Sequence, residues 1–148
     1  MIDPTVLAQS ASPLGDGKID NWIISSSVHV VVGSLVLLTM TVATGWVGWL
    51  AIKGRSLDLG GKILISVAQV VLALQVLIGI KLLDQGQGIV QLYIHYLGGL
   101  LPMGAFLAGG WWVRGETPTS NRLLAALIAI GWFSAVMAFT IGRQYANG

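Results

Sequence analysis

The chain contains no cysteine in its 148 residues. That excludes disulfides, thiolate metal centres, iron–sulfur clusters, thioether-attached haem and cysteine nucleophiles together. Charge is scarce too: eight Lys and Arg and six Asp and Glu make 9% of the residues, against about 25% in a typical soluble domain. The formal charge of +2 is too small and too scattered for a nucleic-acid partner. Only two histidines are present, and the apolar stretches hold no carboxylate or third ligand for a zinc or di-iron centre. The opening MIDPTVLAQSASPLGDGKID lacks the basic start and apolar core of a signal peptide. Residues 1–20 read instead as a polar arm, extended around Pro4 and Pro13.

What fills the chain is apolar. Hydrophobic residues make up 55% and the mean hydropathy is +0.80. Four stretches reach the roughly 20 residues that a bilayer core requires, at 22–52, 62–83, 89–113 and 121–143. The links KGRSLDLGGK (53–62), DQGQG (84–88) and RGETPTSNR (114–122) carry the glycine, proline and charge of loops. Links this short make successive spans antiparallel, so spans one and three run parallel. The expected fold is all-α: an integral membrane four-helix bundle over 21–148, with the lipid bilayer as its first partner.

Basic residues set the expected orientation. Lys53, Arg55, Lys62, Arg114 and Arg122 flank the two longer loops, whereas Lys18, Lys81 and Arg143 lie on the other side. The positive-inside rule then puts both termini outside, in the periplasm or a lumen, for a bacterial inner membrane or thylakoid-type membrane. Trp46, Trp49, Trp111 and Trp112 fall at the inner ends and Trp22 at the outer side, as an aromatic belt does. Trp132 lies mid-span, where its indole N–H needs a partner.

The two histidines, His29 and His95, stand out against this background. Each lies near the start of an apolar stretch, with a polar residue four before it (Ser25, Gln91) and a glycine four after (Gly33, Gly99). Four residues make about one helical turn, so these three groups share a face. The spacing puts both rings about 10 Å in from the outer helix ends. A weak repeat relates spans one and two to three and four: histidine, glycine, tryptophan, basic loop and apolar return. The returns end alike, in Ile78-Gly79-Ile80-Lys81 and Ile141-Gly142-Arg143.

An ionisable group inside a membrane span marks a functional site by default. Two imidazoles at one depth on parallel helices suit the two axial positions of a haem iron. Gly33 and Gly99 would admit a flat macrocycle. The Ser25 hydroxyl or a backbone carbonyl would accept the second imidazole N–H of His29, and Gln91 would do so for His95. Lys81 and Arg143 are expected at the rim, where propionates need cations. Each feature also has a plainer reading: hydrogen-bonded histidines, glycines that serve helix packing, and cations that reach for headgroups. Gln69 and Gln75 are six apart and so face different ways, each suited to bonding across to another helix.

The run from His29 through LQVLIGI (74–80) to IHYLGG (94–99) resembles one half of the haem A synthase family. Halves of that family are four-helix units with a histidine, a Q-x-x-x-G stretch and a second histidine. The matching positions are His29, Gln75 with Gly79, and His95, over roughly half the chain. The catalytic half of that family has a glutamate three residues before its first histidine, and Ser26 stands there here. An external cysteine pair is also missing, and the extra helix follows the histidine helices instead of preceding them. The resemblance therefore implies a haem-holding unit similar to the non-catalytic half, without haem A synthesis. Other four-helix, two-histidine membrane cytochromes b resemble it more loosely and imply the same.

The expected function is electron transfer through a bis-histidine haem b, without independent catalysis. The chain would serve as a small subunit beside other membrane-complex subunits, exchanging electrons with a quinol or a periplasmic carrier. Two other readings stay open. In one, a histidine ligates the magnesium of a chlorophyll or bacteriochlorophyll; in the other, the chain is a cofactor-free accessory subunit.

Overall fold

The computed structural model describes residues 22–87 and 93–146. The arm 1–20 and Gln91 lie outside the described residues. Four helices follow one another, and no strand occurs among the described residues: α1 (Ser26–Ile52), α2 (Leu59–Asp84), α3 (Tyr93–Ala108) and α4 (Pro118–Ala146). A π-helical turn, Gly109–Val113, continues α3. By length and composition, α1, α2 and the Pro118–Gln144 part of α4 can each cross a membrane.

Local chemistry places the ends. Ser25 caps α1 by accepting the Ser27 N–H. Asp58 caps α2, with Oδ1 accepting the Gly61 N–H at 2.8 Å and the Trp46 indole N–H at 3.1 Å. Those bonds, the Gly61 amide first, hold the Asp58 carboxyl below its ordinary value of 3.8. Pro118 opens α4, where a first-turn N–H would lack a partner in any case. Thr117 and Ser120 bond reciprocally there: the Ser120 N–H donates to Thr117 Oγ1 and the Thr117 N–H to Ser120 Oγ. These caps start α2 and α4 three residues earlier than apolarity alone suggests, while α1 starts four residues later, after Ser25.

Two helices stop in the same way. Gly54 (φ 65) and Gly86 (φ 73) adopt the left-handed conformation that glycine tolerates. The amides that follow reach back to close the last turn: Arg55 N–H to Leu50 C=O, and Gln87 N–H to Leu82 C=O.

Helix α1 packs along α2 and α4, and α3 packs along α4. Helices α2 and α3 touch over a shorter stretch, so α1 and α3 face each other across the diagonal. Contacts such as Trp46 with Gly61, Phe139 with Gly33 and Leu124 with Gly109 make neighbours antiparallel. The core, with Met40, Val47, Leu72, Phe106, Leu124 and Ile128, is apolar and buried.

The outside of the bundle is as apolar as the inside. Val31, Leu38, Val70, Leu77, Leu97 and Phe133 are all exposed at mid-helix positions. Such a surface would drive aggregation in water and matches lipid instead. Lipid tails give helices no hydrophobic reason to associate, so small residues and polar bonds must join them. Gly131 brings α4 onto Pro102 and Ala105 of α3. The Trp132 indole N–H donates to Thr41 Oγ1 at 2.8 Å, and Gln69 Nε2 to the Phe106 carbonyl at 2.8 Å. At the loop end, the Leu57 N–H donates to Gly115 C=O and buried Asn121 Nδ2 to Arg55 C=O.

Candidate functional site: a histidine pair across the bundle diagonal

His29 and His95 meet at one end of the bundle. Their ring centroids are 6.0 Å apart, with the planes at 63°. The rings come from diagonal helices and so cross the bundle axis. Both are partly buried. His29 is three residues past the first residue of α1, about 4.5 Å along the axis, and so closer to its helix end than the spacing suggested. The reason is that the chain from Trp22 to Ser25 is not helical.

The two rings are held by equivalent positions. His95 Nδ1 lies 2.8 Å from the Ala138 carbonyl of α4. A carbonyl only accepts, so Nδ1 is the donor. His29 Nε2 lies 3.2 Å from the Gln75 side-chain amide of α2. Its Nδ1 is buried with no hydrogen-bond partner among the described residues, as is Gln75 Oε1. One turn beyond each partner stands a glycine that the ring lies against. A Cβ on Gly79 would be 3.4 Å from His29 Cε1, and one on Gly142 would be 2.9 Å from His95 Cε1.

A second pair of glycines admits the two partners. A Cβ on Gly33 would stand 3.1 Å from Gln75 Nε2, and one on Gly98 would stand 3.1 Å from Ala138 Cβ. Each hairpin thus repeats a unit of histidine, small residue, bonded partner and glycine. Gln75 and Gly79 both lie against His29, and His95 faces it.

Other expected site residues fall elsewhere. Ser25 Oγ lies 2.8 Å from Ser27 Oγ and caps α1, and His29 takes Gln75 in its place. Gly99 has open space where Gly98, its neighbour, makes the close approach. Lys81 Nζ is 2.8 Å from Asp84 Oδ2, and Asp84 is only 1% exposed, so this cation already serves a buried carboxylate. Arg143 is exposed and lines an open cleft of about 310 Å³ with Phe139, Thr140 and Gln144. Gly79, Gly142, Gly98, Gln75 and Ala138 are not among the expected ligand-contact residues, although Gln75 and Gly79 form the Q-x-x-x-G stretch of the resemblance. The sequence signal for Gly79 and Gly142 was the shared Ile-Gly ending of the returns; nothing marks Ala138, which acts through its main chain.

The chain is an all-α bundle with the exterior of an integral membrane protein and an imidazole pair crossing its diagonal. It matches no family model, no curated protein and no solved structure.

Proposed function

We propose that this protein holds a haem b between His29 and His95 and transfers electrons within a membrane, as a small subunit of a respiratory or photosynthetic complex. The observation that carries the reading is the imidazole pair, 6.0 Å between centroids, on diagonal helices of a chain with no other histidine. Two metal–nitrogen bonds of about 2.0 Å each, with the rings behind them, correspond to a separation of about 6 Å.

The donor chemistry fits the group. A metal-bound histidine usually donates its other N–H to a carbonyl or carboxylate, as His95 does to Ala138. The orphaned polar atoms on the other side, His29 Nδ1 and Gln75 Oε1, suit a site completed by something further. The flanking helices present Gly79 and Gly142 at the level of the rings, so each imidazole lies against main chain on a neighbouring helix.

Bound haem would supply a one-electron iron couple, and histidines on both faces would leave no position for oxygen or substrate. The chain's own residues would orient the ligands. The Ala138 carbonyl sets the His95 tautomer, and Gln75 steadies His29. Arg143 is the exposed cation available to a propionate, since Lys81 is paired. A quinol or a soluble carrier on the outer side, where we place both termini, would exchange the electron. The resemblance to the haem A synthase halves supports the same reading.

Oxidised and dithionite-reduced absorption spectra of the purified protein test it. We expect a Soret band, a sharp reduced α-band and extractable protoporphyrin IX iron. His29→Ala and His95→Ala should each abolish the six-coordinate low-spin signature. A red pigment band, or no chromophore from haem-replete cells, overturns the reading; low-spin haem retained in both variants overturns the ligand assignment.

A further inference from the structure

At the end of the bundle away from the histidines, a cavity of about 330 Å³ opens between α2, the π-helical turn and the segment leading to α4. Its lining includes buried Ile65 and Leu124, half-buried Gln69 and exposed Lys62, Arg114 and Glu116. None of those three charged groups joins an ion pair among the described residues. The cavity sits where α2 and α3 meet, the least extensive of the four seams. Trp111 lines it and Trp112 follows in the chain, 77% and 84% exposed, as tryptophans are at headgroup level.

Arg114 adds a separate observation. Its φ of 52 is left-handed, the only such non-glycine residue among those described. Its N–H donates to the Gly109 carbonyl at 2.9 Å and its Nε to the Trp111 carbonyl at 3.2 Å. Backbone sterics favour glycine there, as at Gly115 next to it (φ 66). Strain of this kind persists where the surroundings hold it and collects at functional sites. The π-helical turn just before it is a geometry with the same tendency.

We propose that this cavity is a phospholipid site, with the headgroup phosphate between Lys62 and Arg114 and an acyl chain along the α2–α3 seam. A basic recess between spanning helices is a recurring headgroup site, and a guanidinium suits phosphate by paired, charge-assisted hydrogen bonds. Two cations against one carboxylate leave a single positive charge, which matches a phosphodiester monoanion. The favoured ligand is therefore a lipid of the phosphatidylglycerol kind. The proposal is independent of what the histidines hold.

Native mass spectrometry of the delipidated full chain, titrated with phosphatidylglycerol, phosphatidylcholine or inorganic phosphate, tests it. The wild type should hold one phosphatidylglycerol in preference to phosphatidylcholine. Lys62→Ala and Arg114→Gly should each weaken it about fivefold, Glu116→Gln should tighten it, and Lys53→Ala, at the same end but outside the cavity, should leave it unchanged. Glycine is the residue that the Arg114 backbone prefers, so Arg114→Gly should melt no lower than wild type, which separates lost binding from lost folding. Equal affinity in wild type, Lys62→Ala and Arg114→Gly overturns the proposal. So does equal retention of phosphatidylcholine, or displacement of the lipid by equimolar inorganic phosphate.

Discussion

In the α1–α2 hairpin, a histidine lies against Gly79 and is bonded by the side chain of the residue one turn earlier, Gln75. In the α3–α4 hairpin, a histidine lies against Gly142 and is bonded by the main chain of the residue one turn earlier, Ala138. The layout is shared and the chemistry differs. A side-chain amide offers donor and acceptor and can turn over, so it leaves the tautomer of His29 open. A carbonyl in a helix is fixed and only accepts, so it leaves His95 one tautomer. Reaching that carbonyl requires a small side chain on Ala138 and none on Gly98, whose Cβ would stand 3.1 Å from Ala138 Cβ. The second hairpin is the more tightly constrained of the two.

The largest effect should come from adding one methyl to each glycine. Gly142→Ala places a Cβ 2.9 Å from Cε1 and 3.1 Å from Nδ1 of a ring tied down by Ala138. Overpacking of this kind costs about 1–3 kcal/mol. Gly79→Ala meets His29 Cε1 at 3.4 Å, an ordinary contact, and gains up to about 1 kcal/mol of helix propensity. Thermal unfolding in detergent should show a lowered midpoint for Gly142→Ala and an unchanged or raised one for Gly79→Ala. Equal losses would remove the distinction between the hairpins.

An intermediate effect is expected at Gln75. Gln75→Leu removes the bond to His29, at a cost of about 0.5–1.5 kcal/mol. Nitrogen-15 NMR of the imidazoles should then shift the His29 signals and leave those of His95 in place. Movement of both would mean that the two sites are coupled through the 6.0 Å contact instead of held separately.

The smallest effect concerns the helix caps. The first hairpin caps α2 with a carboxylate, Asp58, and the second caps α4 with a hydroxyl, Thr117. The Asp58 pKa is lowered in the fold, so its contribution is complete above its unfolded value near 3.8 and is lost as pH falls through the lower folded value. Acidification below that value should lower the melting midpoint slightly, and Asp58→Asn should remove that pH dependence. A matching acid loss in Asp58→Asn would place the titrating group elsewhere.

Three of the four expected spans, those of α1, α2 and α4, were legible in the sequence because hydropathy and loop chemistry are local properties. So was the antiparallel order, and His29 and His95 were the only histidines available to pair. The ends shifted by three or four residues because caps, not apolarity, set them: Asp58 and Thr117 extended their helices, and Ser25 delayed α1. The surroundings of the histidines were harder to read. Gly33 and Gly99 share a face with their own histidines, yet a ring points away from its helix and meets what the neighbouring helix presents. In an apolar helix with little contrast between faces, periodicity does not say which face turns inward. That is why Gly79 and Gly142 rank with the histidines in the structure, and why Gly98 makes the contact expected of Gly99.

The amino-acid sequence by itself determined that this protein is helical with an exterior suited to lipid, because a chain with 9% charged residues and long apolar runs satisfies its backbone within helices. It also restricted any paired imidazole site to two residues. Tertiary structure alone decided the rotation of each helix about its axis. That rotation brings two rings to 6.0 Å and gives one a side-chain partner and the other a carbonyl. These outcomes depend on contacts between residues tens of positions apart, where a single absent Cβ determines how closely two helices approach.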